Sequence, residues 1–147
     1  YNLRMQNLSA TIVRSQLDEL DRRVSDGRRN HDYVASQLNG CPWFHVPPPL
    51  PKEIRAPDSI QFSMVDMDEA DARSFMSACK DAGVPVSIFG LSTDNGDIPE
   101  LPLTRAMLMR TCDVRLPARL RRAELDFIAN ALISAVTKVM GRGRAVA

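Results

Sequence analysis

Two histidines carry the side chains best suited to proton transfer, and neither stands in a catalytic arrangement. His31 precedes Asp32 within a charged stretch, whereas His45 follows the aromatic pair Trp43-Phe44. A metal site needs further ligands near such a ring, and a catalytic triad needs a nucleophile. No serine or cysteine of the chain has a sequence context typical of a nucleophile. We therefore interpret both histidines as structural or surface residues.

Four acidic residues in one stretch resemble part of a metal-binding loop: Asp66, Asp68, Glu69 and Asp71. A calcium loop also requires a glycine at its turn and a bidentate glutamate further on, and neither occurs at the required spacing. The pattern Asp66-x-x-Glu69 instead predicts the capping-box-like start of a helix. Carboxylates at that position complement the positive end of the helix dipole.

The other reactive side chains are isolated as well. The cysteines are odd in number, far apart and without a C-x-x-C pair, which indicates free thiols rather than disulfides or a zinc site: Cys41, Cys79 and Cys112. No lysine lies in a Ser/Thr/Gly-rich apolar context that would favour a Schiff base: Lys52, Lys80 and Lys138. Neither a G-x-G-x-x-G nor a Walker-type motif is present. Residue types alone therefore reveal no complete active site.

Bulk properties predict one soluble globular domain. The chain has 147 residues, of which 44% are hydrophobic and 25% charged, with a net charge of +1. This balance gives no indication of binding to nucleic acid or to an anionic membrane. No apolar run approaches the roughly 20 residues that span a bilayer. The unpaired cysteines favour a reducing, cytoplasmic location.

The spacing of apolar residues predicts long amphipathic helices near both ends of the chain. The first helix continues to Asn39-Gly40, and Gly27 is expected to bend or break it. Its apolar face begins with four residues at steps of 4, 3 and 4: Val13, Leu17, Leu20 and Val24. The last helix has steps of 3, 4, 4 and 3: Leu125, Ile128, Leu132, Val136 and Val139.

Alternating and β-rich segments lie between these two helices. Strands are predicted at residues 43–46, 59–65, 84–89 and 112–116, with Pro85 placing the third near a sheet edge. The helix that starts at Asp66-x-x-Glu69 is predicted to end at Gly83, and Thr104 is expected to cap a short helix that runs to Met109. This order predicts an α+β fold, in which a small antiparallel-rich sheet is covered by helices on one face.

The proline run at residues 47–51 cannot join a central strand and must be extended. One interpretation is a ligand of an SH3-type domain, although Glu53 stands where such a ligand would carry a basic residue. The other interpretation, a stiff connector, fits the sequence better.

The beginning of the chain closely resembles a signature of the DegT/DnrJ/StrS aminotransferases. The resemblance rests on Tyr1-Asn2-Leu3-Arg4-Met5, followed by Gln16-Leu17, Arg28-Arg29 and Tyr33. Weaker matches follow in order, at Ala82-Gly83-Val84-Pro85-Val86 and from Leu101-Pro102 to Leu116-Pro117. They extend the resemblance over nearly the whole chain.

The resemblance implies a pyridoxal-phosphate enzyme of the aspartate-aminotransferase fold that transfers an amino group to a keto-sugar nucleotide or a similar carbonyl acceptor. Some members of the family are dehydratases, and members are homodimers with active sites at the subunit interface. Residues 1–40 would be a linking helix, and residues 41–147 the C-terminal small domain. Asn2 would contact the cofactor phosphate of the partner subunit, since its amide can donate to phosphate oxygens. Arg4 would be a phosphate- or substrate-facing cation or an interface ion pair. The alternative for Asn2 is an ordinary helix cap.

In the family, the Schiff-base lysine and the ring-binding residues lie upstream of this signature. We therefore expect the chain to begin in the middle of a longer protein and to be inactive alone. The segment 92–97 is short for the family's active-site loop, which leads to the expectation that residues are missing between Asn95 and Gly96. The rival reading is a stand-alone, non-catalytic α+β binding or interaction module derived from such a domain.

Overall fold

Helices alternate with short strands along the chain in the computed structural model, which describes residues 7–55, 57–91 and 101–143. The helices are α1 (Asn7–Leu17), α2 (Leu20–Leu38), α3 (Glu69–Asp81), α4 (Pro102–Leu108) and α5 (Arg122–Gly143). The strands are β1 (Phe44–His45), β2 (Ser59–Met64), β3 (Ser87–Ile88) and β4 (Thr111–Arg115), and a 3-10 turn at Phe89–Leu91 follows β3.

The four strands form one antiparallel sheet in the order β1-β2-β4-β3. Phe62 of β2 pairs with Cys112 of β4, which also pairs with Ile88 of β3. Side chains alternate in burial along β2, as the sequence pattern predicted, because successive residues of a strand point to opposite faces. The sheet therefore has one apolar face and one polar face.

Three helices bury the apolar face of the sheet. The core contains Val34 and Leu38 of α2, Phe75 and Cys79 of α3, and several residues of α5: Leu125, Leu132, Ala135, Val136 and Val139. Aromatic packing joins the layers, since the Phe44 ring lies 5.0 Å from Phe62 and 5.7 Å from Phe75, measured between centroids. The predicted α+β architecture, with helices over one face, is confirmed.

The N-cap of helix α3 lies two residues after the predicted one. Asp68, not Asp66, is the N-cap, and its carboxylate oxygen accepts a hydrogen bond from the backbone N–H of Asp71 at 2.8 Å. Asp66 instead occupies a turn with a φ of 53°, a conformation that aspartate tolerates better than most residues. The helix ends as predicted before Gly83, whose φ of 80° suits glycine.

Helix α4, in contrast, begins before the predicted cap. Leu101 precedes the first turn and Pro102 occupies its start, where the missing N–H of proline costs no helical hydrogen bond. Thr104 therefore lies inside the helix. Strand β3 is shorter than predicted, but it lies at a sheet edge, as Pro85 indicated.

Gly27 does not break the first long helix. Helix α2 runs through it without interruption, and the break lies earlier, at Asp18-Glu19. A β-carbon at Gly27 would lie 2.5 Å from the carbonyl oxygen of Pro57, well inside van der Waals contact. Glycine is needed here because it lets the helix approach the segment that enters β2.

Candidate functional site

The residues predicted to contact the cofactor, Asn2 and Arg4, lie outside the described residues. The short loop at 92–97, including the Asn95-Gly96 junction, also lies outside them. Their predicted roles therefore stay predictions. The elements that flank residues 92–100 are the 3-10 turn at Phe89–Leu91 and helix α4.

The 3-10 turn before that segment packs tightly against the end of α4, which follows the segment. A β-carbon at Gly90 would lie 2.5 Å from the sulfur of Met109 and 2.8 Å from its backbone nitrogen. Only glycine permits this approach without a shift of the neighbouring backbone. The Gly90–Met109 contact therefore fixes the exit of β3 relative to α4.

A cleft of about 800 Å³ separates α2 from a strap formed by residues 47–55. Helix α2 contributes four polar or charged residues in addition to its C-cap residue Asn39: Arg28, His31, Asp32 and Ser36. The opposite wall consists of β1 and the proline-rich strap. The residues of α2 were individually visible in the sequence, but the cleft depends on the path of the strap, which no local pattern indicated.

Hydrogen bonds within the strap hold its shape. The Glu53 carboxylate accepts from the backbone N–H of Leu50 and from the Arg55 guanidinium, each at 2.6 Å. Arg55 also donates to the carbonyl of Pro48 at 3.2 Å, and Arg28 of α2 donates to the carbonyl of Arg55. The proline run itself is exposed and lies outside the sheet, as predicted.

These contacts pair the Glu53 carboxylate with the Arg55 guanidinium inside the strap. The bond from Arg55, and then the bond from the Leu50 amide, lower the pKa of the Glu53 carboxyl. Glu53 therefore stays ionised at neutral pH and acts as a hydrogen-bond acceptor that shapes the loop. Its arrangement is that of a structural ion pair, not of a general acid.

The structure brings the two histidines to the same cleft, which the sequence did not predict. His31 is buried, and its Nδ1 lies 3.2 Å from the Asp32 carboxylate. His45 lies on β1 and is exposed. No group of three or more potential metal ligands occurs among the residues that the structure describes.

The cysteines are all free and buried. Burial raises the pKa of the Cys79 thiol to about 12. Burial, together with the neighbouring Cys79, also raises the pKa of Cys112. Since the thiolate is the reactive form, neither side chain is a nucleophile at neutral pH.

The three lysines are exposed: Lys52, Lys80 and Lys138. A lysine that carries a cofactor is typically desolvated or placed beside another cation, which lowers its pKa.

Within the described parts of the chain, no helix is long and apolar enough to cross a membrane.

The polar face of the sheet presents hydroxyl, amide and carboxylate groups from neighbouring strands. Gln61 of β2 pairs with Asp113 of β4, which pairs with Ser87 of β3. These side chains are exposed or half-buried, in contrast to the core residues between them. Such a surface can contact polar ligands or another polar protein surface.

Comparison with solved structures shows the same fold in larger enzymes. The aminotransferase TlmJ from Streptoalloteichus hindustanus is 18% identical, with a TM-score of 0.74 over 90% of this chain and 37% of its own. The putative sugar aminotransferase Spr1654 from Streptococcus pneumoniae is 16% identical, with a TM-score of 0.79 over 95% of this chain and 37% of its own in the apo form. Spr1654 has also been solved in PLP and PMP forms. The chain thus spans little more than a third of the length of these relatives.

No curated protein matches the chain. The comparison with protein families does give a match. Residues 1–132 match the DegT/DnrJ/EryC1/StrS aminotransferase family, in agreement with the signature at the start of the sequence and with the fold. The chain therefore belongs to the DegT/DnrJ/EryC1/StrS aminotransferase family.

Proposed function

We propose that this chain is the C-terminal part of a pyridoxal-phosphate-dependent aminotransferase that acts on a keto-sugar nucleotide or a similar carbonyl acceptor. The observation that carries the proposal is the family match over residues 1–132. The similarity in fold to sugar aminotransferases, over just over a third of their length, supports it. Residues 1–40 would link the catalytic part to a small domain formed by residues 41–147.

The described residues do not by themselves fit the cofactor. The exposed positions of Lys52, Lys80 and Lys138 do not suit the lysine that holds pyridoxal phosphate. We therefore place that lysine in the catalytic part of the complete enzyme and expect this chain alone to be inactive. The chain's own contributions would be a phosphate contact, part of the substrate wall and dimer surface. The polar sheet face around Gln61 and Asp113 is a suitable candidate for the substrate wall.

The phosphate contact would come from Asn2 and act in the partner subunit of a homodimer, with Arg4 as a second candidate. An asparagine amide has two N–H donors, which match the acceptor oxygens of a phosphate. In the complete enzyme, we expect Asn2→Ala to weaken binding of pyridoxal phosphate, measured by equilibrium dialysis. Asn7→Ala, the same substitution at an exposed position of α1, is the matched control.

Mixed dimers test whether this contact acts between subunits. One subunit would carry Asn2→Ala, and the other an inactivating substitution of the cofactor lysine. If Asn2 serves the partner's site, one site of each mixed dimer is intact, and at limiting pyridoxal phosphate the mixture is more active than either variant alone. A mixture no more active than the Asn2→Ala variant would contradict the contact in trans.

The acceptor can be tested with isotopically labelled glutamate or glutamine and a nucleotide-linked keto sugar. Mass spectrometry should then find the labelled nitrogen in the sugar product. Loss of a sugar hydroxyl as water without gain of nitrogen would identify a dehydratase instead.

A cytoplasmic location agrees with three free, buried thiols, since disulfides are rare in reducing compartments.

A further inference from the structure

Helix α1 carries an apolar stripe that the described part of the chain leaves uncovered. The stripe consists of four residues, which continue one face across the break at residues 18–19: Ile12 (53% exposed), Val13 (43%), Leu17 (57%) and Leu20 (51%). Every residue from Ser9 to Arg23 is exposed, so α1 projects away from the core.

The same helical face is buried further along, in α2. Val24 is half-buried, and Gly27, Val34 and Leu38 are buried, the last two in the core. One apolar face therefore has two halves, of which only the second is covered by the described small domain. Continuity of the face indicates that the first half also packs on protein.

An 11-residue helix without such packing is not expected to persist in water. Isolated helices shorter than about 12–15 residues are marginal even in favourable sequences. Two β-branched residues of the stripe, Ile12 and Val13, lower the helix propensity further. The stability of α1 must therefore come from a surface that covers the stripe.

We propose that this surface belongs to the catalytic part of the same complete polypeptide, an inference that rests on the proposed function. The solved relatives TlmJ and Spr1654 have nearly two thirds of their length outside the region that this chain covers. Four side chains offer far less than the roughly 800 Å² per partner that a stable complex between separate molecules buries. A covalently attached partner needs less area, because linkage supplies an effective concentration in about the millimolar range.

Hydrogen exchange of the complete enzyme and of the 147-residue chain, measured by mass spectrometry, tests the proposal. We expect amides of residues 9–20 to exchange at least about tenfold more slowly in the complete enzyme than in the chain alone. Amides of residues 30–38 should be protected in both proteins and serve as the internal standard. Equal, rapid exchange of residues 9–20 in both proteins would overturn the proposal.

Two variants of the complete enzyme separate docking from a general loss of structure. Leu17→Ser removes a stripe residue and should accelerate exchange throughout α1. Arg14→Ser lies off the stripe and loses a similar helix propensity, so it should leave exchange nearly unchanged. Equal effects of the two variants would contradict docking through the stripe.

Dilution identifies the occupant. Protection by the same polypeptide should not change when the dimer is diluted until it dissociates. Protection that falls with dilution would assign the stripe to the partner subunit and overturn the proposal.

Aminotransferase assays on the same samples distinguish failure of the docking proposal from failure of the proposed function. A protected α1 in a complete protein that neither binds added pyridoxal phosphate nor transfers an amino group would refute the proposed function and leave the docking intact. An active enzyme whose α1 is unprotected would support the proposed function and overturn the docking.

Discussion

Tyr33 joins α2 to α5 through its hydroxyl group and its aromatic ring. Its hydroxyl donates to the Asp126 carboxylate, and the guanidinium carbon of Arg122 lies 3.2 Å from the ring centroid. The hydrogen bond to Asp126, and secondarily burial, raise the pKa of the Tyr33 phenol. A pKa that folding raises stabilises the folded state below the ordinary tyrosine pKa of about 10, and this contribution is lost as pH rises through the folded-state pKa.

We therefore expect Tyr33→Phe to lower the melting temperature at neutral pH, because it removes the hydrogen bond and keeps the ring under Arg122. The difference from the unchanged chain should be constant near neutral pH and shrink above about pH 10, where the phenol ionises. Thermal unfolding of both proteins across this range measures it. A difference that stays the same well above pH 10 would show that Asp126 and the phenol are not coupled.

At the scale of elements, the start of α3 distinguishes the observed cap from the one that the sequence predicted. Asp68→Ala removes the acceptor of the Asp71 N–H and should reduce the free energy of unfolding by about 1 kcal/mol. Asp66→Gly should change it by less than about 0.5 kcal/mol, because Asp66 caps nothing and glycine accepts its positive φ. Urea denaturation of both variants provides the comparison. The opposite ranking would restore Asp66 as the cap.

The close approach of α2 to the segment before β2 can be tested at Gly27. Gly27→Ala improves helix propensity but places a methyl group against the Pro57 carbonyl, so we expect a net destabilisation of about 1–3 kcal/mol. Gly141→Ala in α5 is the control, since no atom lies within 4 Å of its added β-carbon. It should be neutral or stabilise by up to about 1 kcal/mol. A stabilising Gly27→Ala would show that the two segments do not touch.

At the scale of the whole molecule, local periodicity predicted the elements that form the core. The alternation in β2 and the apolar face of α5 were visible because each reports burial on one side of a regular element. The role of Gly27 was not predictable, because it depends on Pro57, thirty residues away. The break at residues 18–19 and the strap cleft also depend on contacts outside any short window.

The candidate site was predictable only through resemblance to a family. Residue types alone indicated no complete active site. In the structure, the cysteines are buried and the lysines are exposed. The signature around Asn2 and Arg4 led to the family, which the match over residues 1–132 then showed. The proposed sharing of the chemistry between two parts of a polypeptide, and between two subunits, would leave no complete motif in one part.

The most direct test of the central claim is the half-reaction of the complete enzyme with an amino donor, without any acceptor. Loaded with pyridoxal phosphate and mixed with glutamate or glutamine, the enzyme should release about one equivalent of 2-oxo acid per site, detected by mass spectrometry. The 147-residue chain should release none. A complete enzyme that is folded and loaded but releases no 2-oxo acid from either donor would contradict an aminotransferase.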